Sequence, residues 1–122
     1  MLPGGCHQVF KAKASGTANA TATQLIAAPT GNTSTQATGY TGITILRVLF
    51  SCDADVDEGK LELIQATSTE LVPPIYIPGP NTYDSGDGFD VPLLEFTRLA
   101  YAVTLVTSAT PNWSLFVQYI LR

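Results

Sequence analysis

Three aspartates at alternate positions, in the stretch "DADVDEGKLELI" (residues 53–64), have the spacing closest to a metal site in this sequence. A helix-loop-helix calcium loop has oxygen ligands at positions 1, 3 and 5, glycine at 6 and glutamate at 12. Asp53, Asp55 and Asp57 supply the first three, but Glu58 and Ile64 occupy positions 6 and 12. Two interpretations stay open: a weak cation site at the three aspartates, or a solvated acidic turn between strands, closed by the glycine after Glu58.

A second acidic stretch, "NTYDSGDGFD" (residues 81–90), is a poorer match. Counting from Asp84 places Glu95 at position 12, but positions 3 and 5 are glycines without side-chain oxygens. It is not a calcium loop by itself. The two acidic stretches could share an ion only if the fold brings them together.

The residue types needed for catalysis are scarce. The only histidine is His7, and its neighbour Cys6 cannot use it as a base, because neighbours in an extended chain point to opposite faces. Carboxylate pairs for glycoside hydrolysis can be drawn from any ten acidic residues, so they indicate nothing specific. The sequence therefore predicts no enzymatic activity, no catalytic residue and no cofactor.

The composition narrows the class of protein. The chain has 122 residues, 45% hydrophobic and 13% charged, which predicts one domain. All ten acidic residues lie between Asp53 and Glu95 and the net charge is −4, the wrong sign for binding nucleic acid.

Apolar runs are too short for a membrane helix. The first ten residues lack the features of a signal peptide, which predicts folding in the cytoplasm with Cys6 and Cys52 as reduced thiols rather than a disulfide.

Hydrophobic residues recur with a period of two. In "NWSLFVQYILR" the odd positions form an apolar row, listed as Trp113, Leu115, Val117, Tyr119 and Leu121. "LAYAVTLVTS" has a similar row from Leu99 to Leu105. This pattern predicts strands with one face in the core. Further strands are predicted in "SGTANATATQLIAAP", "GITILRVLFSC" and "GKLELIQA".

Two segments contain proline and are expected at sheet edges. These are "ELVPPIYIPGP", read as an edge strand or an extended polyproline-like run, and "GFDVPLLEF" with Pro92 near its middle. "HQVFKAKA" is either an opening strand or an arm. Residues 28–42, rich in Gly, Thr and Ser, read as a long exposed loop.

Seven or eight short strands and no convincing helix predict an all-β protein, an antiparallel β-sandwich of jelly-roll type. The expected organisation is an N-terminal arm or first strand over residues 1–14, followed by a single β-sandwich domain over residues 15–122. The aromatic side chains fall mostly in strands, where packing is their default role.

The order of these features resembles the small β-sandwich virion proteins of tailed bacteriophages, namely capsid decoration (cement) and head-fibre proteins. The segments that carry the resemblance are "ASGTANATATQLIAAP", "GITILRVLFSCDAD" with its turn, "GKLELIQA", the proline-rich segment, "FDVPLLEFTRLAYAVTLVTSA" and the final "WSLFVQYILR". The likeness covers the chain from about residue 14. The long Thr/Gly loop before Tyr40 and the run of four prolines depart from the usual pattern.

This resemblance implies a homo-oligomer, usually a trimer, bound to the outer surface of a major capsid protein lattice, made in the host cytoplasm and located on the virion exterior. It carries over no catalytic residue. The candidates for capsid contact are Phe10, Lys11 and Lys13, the two lysines facing acidic capsid groups while the acidic middle of the chain faces outward. The alternatives are a head-tail connector or tail-attached protein, and a carbohydrate-binding sandwich at a fibre with calcium at an acidic turn.

Overall fold

A computed structural model of the protein describes residues 8–29, 39–53, 56–107 and 111–122. These ranges contain ten strands: β1 Phe10–Gly16, β2 Ala20–Ile26, β3 Ile43–Cys52, β4 Val56–Gln65, β5 Thr69–Glu70, β6 Ile75–Pro78, β7 Asn81–Asp84, β8 Val91–Pro92, β9 Leu99–Thr107 and β10 Trp113–Leu121. Within the same ranges, no helix is long and apolar enough to cross a membrane.

The strands form two antiparallel five-stranded sheets. Sheet A has the order β1-β10-β3-β7, with β8 also paired to β3, and sheet B has the order β2-β9-β4-β5, with β6 also paired to β4. The first strand thus lies beside the last, and the second lies beside the last but one. This nesting of early and late strands, alternating between two sheets, is the jelly-roll topology. The predicted fold class, an antiparallel jelly-roll-like β-sandwich, is confirmed.

The core lies between the sheets and follows the period-two rows. In β9 from Tyr101 on, and in β10 from Trp113 to Gln118, buried residues alternate with more exposed ones, as a strand with one face in the core requires. Trp113 of sheet A bridges the layers: its ring centroid lies 6.3 Å from that of Phe50 in sheet A and 5.7 Å from that of Tyr101 in sheet B. Its indole N–H donates a hydrogen bond of 2.8 Å to the carbonyl of Ala18, so the buried polar atom is satisfied.

Three strand boundaries differ from expectation. β4 begins at Val56 rather than Gly59, so Gly59 lies inside a strand and does not close the turn. Gly59 is buried, and a Cβ there would lie 3.4 Å from Cys52 Sγ. The segment 15–29, expected as one strand, is divided: β1 ends at Gly16 and β2 begins at Ala20. The turn between β1 and β2 is held by a contact with β9, because Asn19 Oδ1 accepts a hydrogen bond from the backbone N–H of Leu105.

β1 forms a continuous antiparallel ladder with β10, from Phe10 opposite Tyr119 to Gly16 opposite Trp113. The expected division between residues 14 and 15 therefore falls inside a strand of the sandwich. The proline-containing segments do lie at edges of the described sheets, since β6 pairs with β4 alone and β8 with β3 alone. β7, which the sequence did not predict, pairs with β3 over four residues.

Candidate interaction surface

The first acidic stretch forms the short connection between β3 in sheet A and β4 in sheet B. The backbone N–H of Val56 donates to the carbonyl of Asp53 over 3.1 Å, which closes the turn. The Asp53 carboxylate accepts a hydrogen bond from the side-chain amide of Asn112, and its backbone N–H donates to the Asn112 carbonyl. Asp55 lies outside the described residues. The three-aspartate cation site therefore stays a prediction, and the described residues contain no cluster of three potential metal ligands.

The second acidic stretch starts beside the first and runs back along β3, since Asn81 pairs with Cys52, the neighbour of Asp53. Asp53 follows the last residue of β3, whereas Asp84 pairs with Leu49 and the chain after it runs on to β8, beside the start of β3. Asp84 is held by Arg47, which donates two hydrogen bonds to its carboxylate at 3.0 and 2.7 Å, and by the N–H of Gly86 at 2.8 Å. The second stretch is thus a structural turn built around one ion pair.

These contacts change the ionisation of the pair. The hydrogen bonds from Arg47 and from the Gly86 N–H lower the pKa of Asp84, since they stabilise its charged form. The same carboxylate raises the pKa of Arg47. Both groups are charged in the folded protein at neutral pH.

The remaining chemistry-bearing residues are not assembled into a described site. Cys6 and His7 lie outside the described residues. Cys52 is a buried free thiol with its Sγ 4.0 Å from the Asn81 carbonyl oxygen. Trp113 is also buried, so its ring is not available to stack against a sugar.

The outward side of sheet A presents aligned rows of side chains, here called the sheet A face. One row runs Ser15, Ser114, Ser51, Thr82; the next runs Lys13, Phe116, Leu49, Asp84; the third runs Lys11, Gln118, Arg47. Strand residues in register on one side of a sheet lie close enough to form a joint surface. The centre of this surface is therefore apolar, with lysines along the β1 side and hydroxyl groups on one flank.

The Phe116 side chain separates two shallow grooves on the sheet A face. A groove of about 340 Å³ toward β1 is lined by Lys13, Ser15, Ser114 and Phe116, among others. A groove of about 260 Å³ on its other side, toward β7, is lined by Leu49, Phe50, Ser51, Thr82, Ser114 and Phe116. The second is called the Phe116 groove below. Ser51 and Ser114 join their hydroxyl groups over 2.8 Å at its rim.

The two sheets present opposite formal charges to solvent. The sheet A face carries Lys11, Lys13 and Arg47 against Asp84, three cations to one anion.

The strands of sheet B carry Asp57, Glu58, Glu62 and Glu70 against Lys60, four carboxylates to one cation. Lys60 pairs with Glu62 at 3.2 Å, while hydrogen bonding between Glu62 and Glu70 raises the pKa of Glu70. The sandwich is therefore electrically polar across its thickness.

The structure separates the three predicted capsid-contact residues. Lys11 and Lys13 are exposed on the sheet A face. Phe10 is half-buried and packs against the core, with its ring stacked on Tyr119 at a centroid distance of 5.6 Å. Neighbours in a strand point to opposite sides, so Phe10 and the lysines cannot form one flat contact. Their contact with a capsid stays a prediction.

A second surface feature was missed from the sequence: the corner formed by residues 93–96, which leads from β8 in sheet A to β9 in sheet B. Leu94 and Phe96, read as part of a strand, are 66% and 59% exposed. The backbone of the corner is nevertheless held in place. The N–H groups of Leu93, Leu94 and Phe96 donate to Ile43 O at 2.8 Å, Gln65 Oε1 at 3.2 Å and Thr41 O at 2.6 Å.

Phe96 also has a φ of 57°, in the left-handed region that large side chains rarely occupy. Such a backbone conformation costs on the order of 1–3 kcal/mol and persists only where neighbouring contacts impose it. The corner is a rigid element that displays two apolar side chains. In the sequence its only signal was "LLEF", which alternates too little to define a strand face.

Comparison with solved structures identifies the fold. The chain is similar over its whole length to a chain of a structure described as the cyanophage Pam1 capsid asymmetric unit, with 19% sequence identity, a TM-score of 0.52 and 92% of that chain covered. A match to the Tobacco streak virus coat protein dimer covers 89% of this chain and 84% of that one, with 13% identity and a TM-score of 0.29, too low to support an argument. No protein-family model matches the chain, and no curated protein sequence matches it significantly.

Proposed function

We propose that this protein is a structural, non-enzymatic component of a bacteriophage virion, which binds the outer surface of the capsid as a decoration protein and stabilises it. The observation that supports this most is the end-to-end similarity of the jelly roll to a chain of a cyanophage capsid. The alignment covers all of this chain and 92% of the other, so the two chains have similar lengths.

The polarity of the sandwich supports a defined orientation on the capsid. β1 lies at one side of sheet A and displays Lys11 and Lys13, which suit an acidic surface of the major capsid protein. The carboxylates on sheet B then face away from that contact. Each copy needs only modest affinity, because the same contact recurs over a symmetric shell and binding of linked copies is favoured by effective concentration.

The proposal is tested with capsids of the encoding phage that lack this protein. Purified protein should co-sediment with them and raise the temperature at which they release DNA or dissociate. Neutralising both lysines, with Lys11→Gln and Lys13→Gln, should weaken binding by at least about tenfold at low salt, and raising the salt concentration should weaken binding of the wild type in the same direction.

A matched control is available on the opposite sheet. Lys60→Gln also removes one cation, but it lies among the carboxylates of sheet B and should leave capsid binding unchanged. Substitution is preferable to deleting residues 1–13, because that deletion removes four residues of β1 and exposes the edge of β10. Absence of co-sedimentation at any salt concentration would contradict the proposed function.

A further inference from the structure

The corner at residues 93–96 has no role within the described fold that explains its two exposed apolar side chains. Leu94 and Phe96 are the two most exposed large apolar residues around the end of the sandwich where β3 begins. A rigid backbone lowers the entropy cost of burying such side chains against a partner. Aromatic side chains such as Phe96 are enriched in the buried centres of protein interfaces.

We propose that this corner docks into the Phe116 groove of a second copy of the chain. The apolar side chains of Leu49 and Phe116 line this groove. Its volume of about 260 Å³ equals that of about nine water molecules in the liquid, enough to seat an aromatic side chain. Apolar side chains of the corner would thus be buried against apolar side chains of the groove.

The polar groups of the two surfaces also match. Glu95 is exposed between Leu94 and Phe96 and presents a carboxylate beside them. At the groove rim, Ser51 and Ser114 share one hydrogen bond, which uses one of their two hydroxyl protons. The other proton is available for the Glu95 carboxylate, which accepts hydrogen bonds only. The contact therefore pairs an acceptor with a donor as well as apolar surface with apolar surface.

The corner and the Phe116 groove are formed by different residues, so the proposed contact is head-to-tail: each copy offers its corner to one neighbour and its groove to another. Such contacts build either closed rings or open chains.

The experiment measures self-association without capsids, by sedimentation velocity between about 1 and 100 µM protein. The wild type should form an oligomer. A corner variant, Leu94→Ser with Phe96→Ser, and a groove variant, Phe116→Glu, should each lose at least about tenfold in affinity and sediment mainly as monomers. When mixed, the two variants should form a one-to-one complex, because each keeps the half that the other lacks.

The matched control is Val106→Ser, which removes a similarly exposed apolar side chain (56%) from sheet B and should leave the oligomer intact. Circular dichroism and the melting temperature check that each variant folds, and Leu49→Lys replaces Phe116→Glu if that variant does not. A monomeric wild type, or mixed variants that stay monomeric, would overturn the inference. The variant with Lys11→Gln and Lys13→Gln should lose capsid binding and keep self-association, which separates this inference from the proposed function.

Discussion

The Arg47–Asp84 ion pair is the best-defined polar contact on the sheet A face. Exposed ion pairs generally contribute little, and the two side chains here are 34% and 42% exposed. This pair differs in geometry, because the guanidinium binds both carboxylate oxygens and the Gly86 N–H binds the same carboxylate. The pair therefore joins β3 to the turn after β7, a strand that has few apolar side chains to hold it.

Replacing this carboxylate should make stability depend less on pH. The pKa of Asp84 is lowered in the folded protein, so its contribution to stability is present above the ordinary pKa of about 4 and is lost as pH falls through the folded value. We expect Asp84→Asn to lower the melting temperature at neutral pH and to differ little from the wild type near pH 2. Thermal unfolding of both proteins across this range measures the difference.

Asp87→Asn is the control for that change. Asp87 is exposed and acts on Arg47 only through its charge, so its loss should have a much smaller effect at neutral pH. Equal shifts for the two variants would show that general charge, and not the hydrogen bonds at Asp84, determines the effect.

At the scale of elements, local periodicity predicted the central strands. It failed where contacts with residues distant in the sequence determine whether a segment forms a strand. β9 and β10 could be identified because their buried rows are continuous in the sequence. β7 could not, because "NTYD" has the composition of a turn and becomes a strand only through its ladder to β3. The break after β1 depends on Asn19 and Ala18, whose partners Leu105 and Trp113 are more than 80 residues away.

The same reasoning applies to the candidate surface. The exposure of Lys11 and Lys13 follows from alternation within β1, although the sequence alone left open whether this segment is a strand. The rows of the sheet A face depend on the register in which four strands pair. No local sequence pattern gives that register. The exposed corner arises because β8 ends at Pro92, earlier than the predicted strand "GFDVPLLEF".

A matched pair of valines tests which face of each strand lies in the core. Val117 in β10 is fully buried, whereas Val106 in β9 is 56% exposed. Valine to threonine keeps the shape and adds a hydroxyl group, so Val117→Thr should lower the free energy of unfolding by about 1–3 kcal/mol. Val106→Thr should change it by less than about 0.5 kcal/mol. Urea denaturation of both variants measures this, and similar losses would contradict the assigned faces.

For the whole molecule, the nested strand order means that neither sheet can form from one continuous part of the chain. Sheet A needs β1, β3 and β10, and sheet B needs β2, β4 and β9. Each sheet buries its inner face only against the other, so the two share one core. A binding surface on one sheet is therefore supported by the packing of both, which suits the structural role proposed above.

This shared core predicts that the sandwich unfolds as one unit. Trp113 is the only tryptophan of the sequence and packs between Phe50 of sheet A and Tyr101 of sheet B, so its fluorescence reports on contact between the layers. Far-UV circular dichroism reports on the strands themselves. For the corner variant, Leu94→Ser with Phe96→Ser, both signals should give the same midpoint and the same slope in urea. A fluorescence change at clearly lower urea than the loss of strand signal would show that the sheets separate before they unfold, and that one sheet is stable without the other.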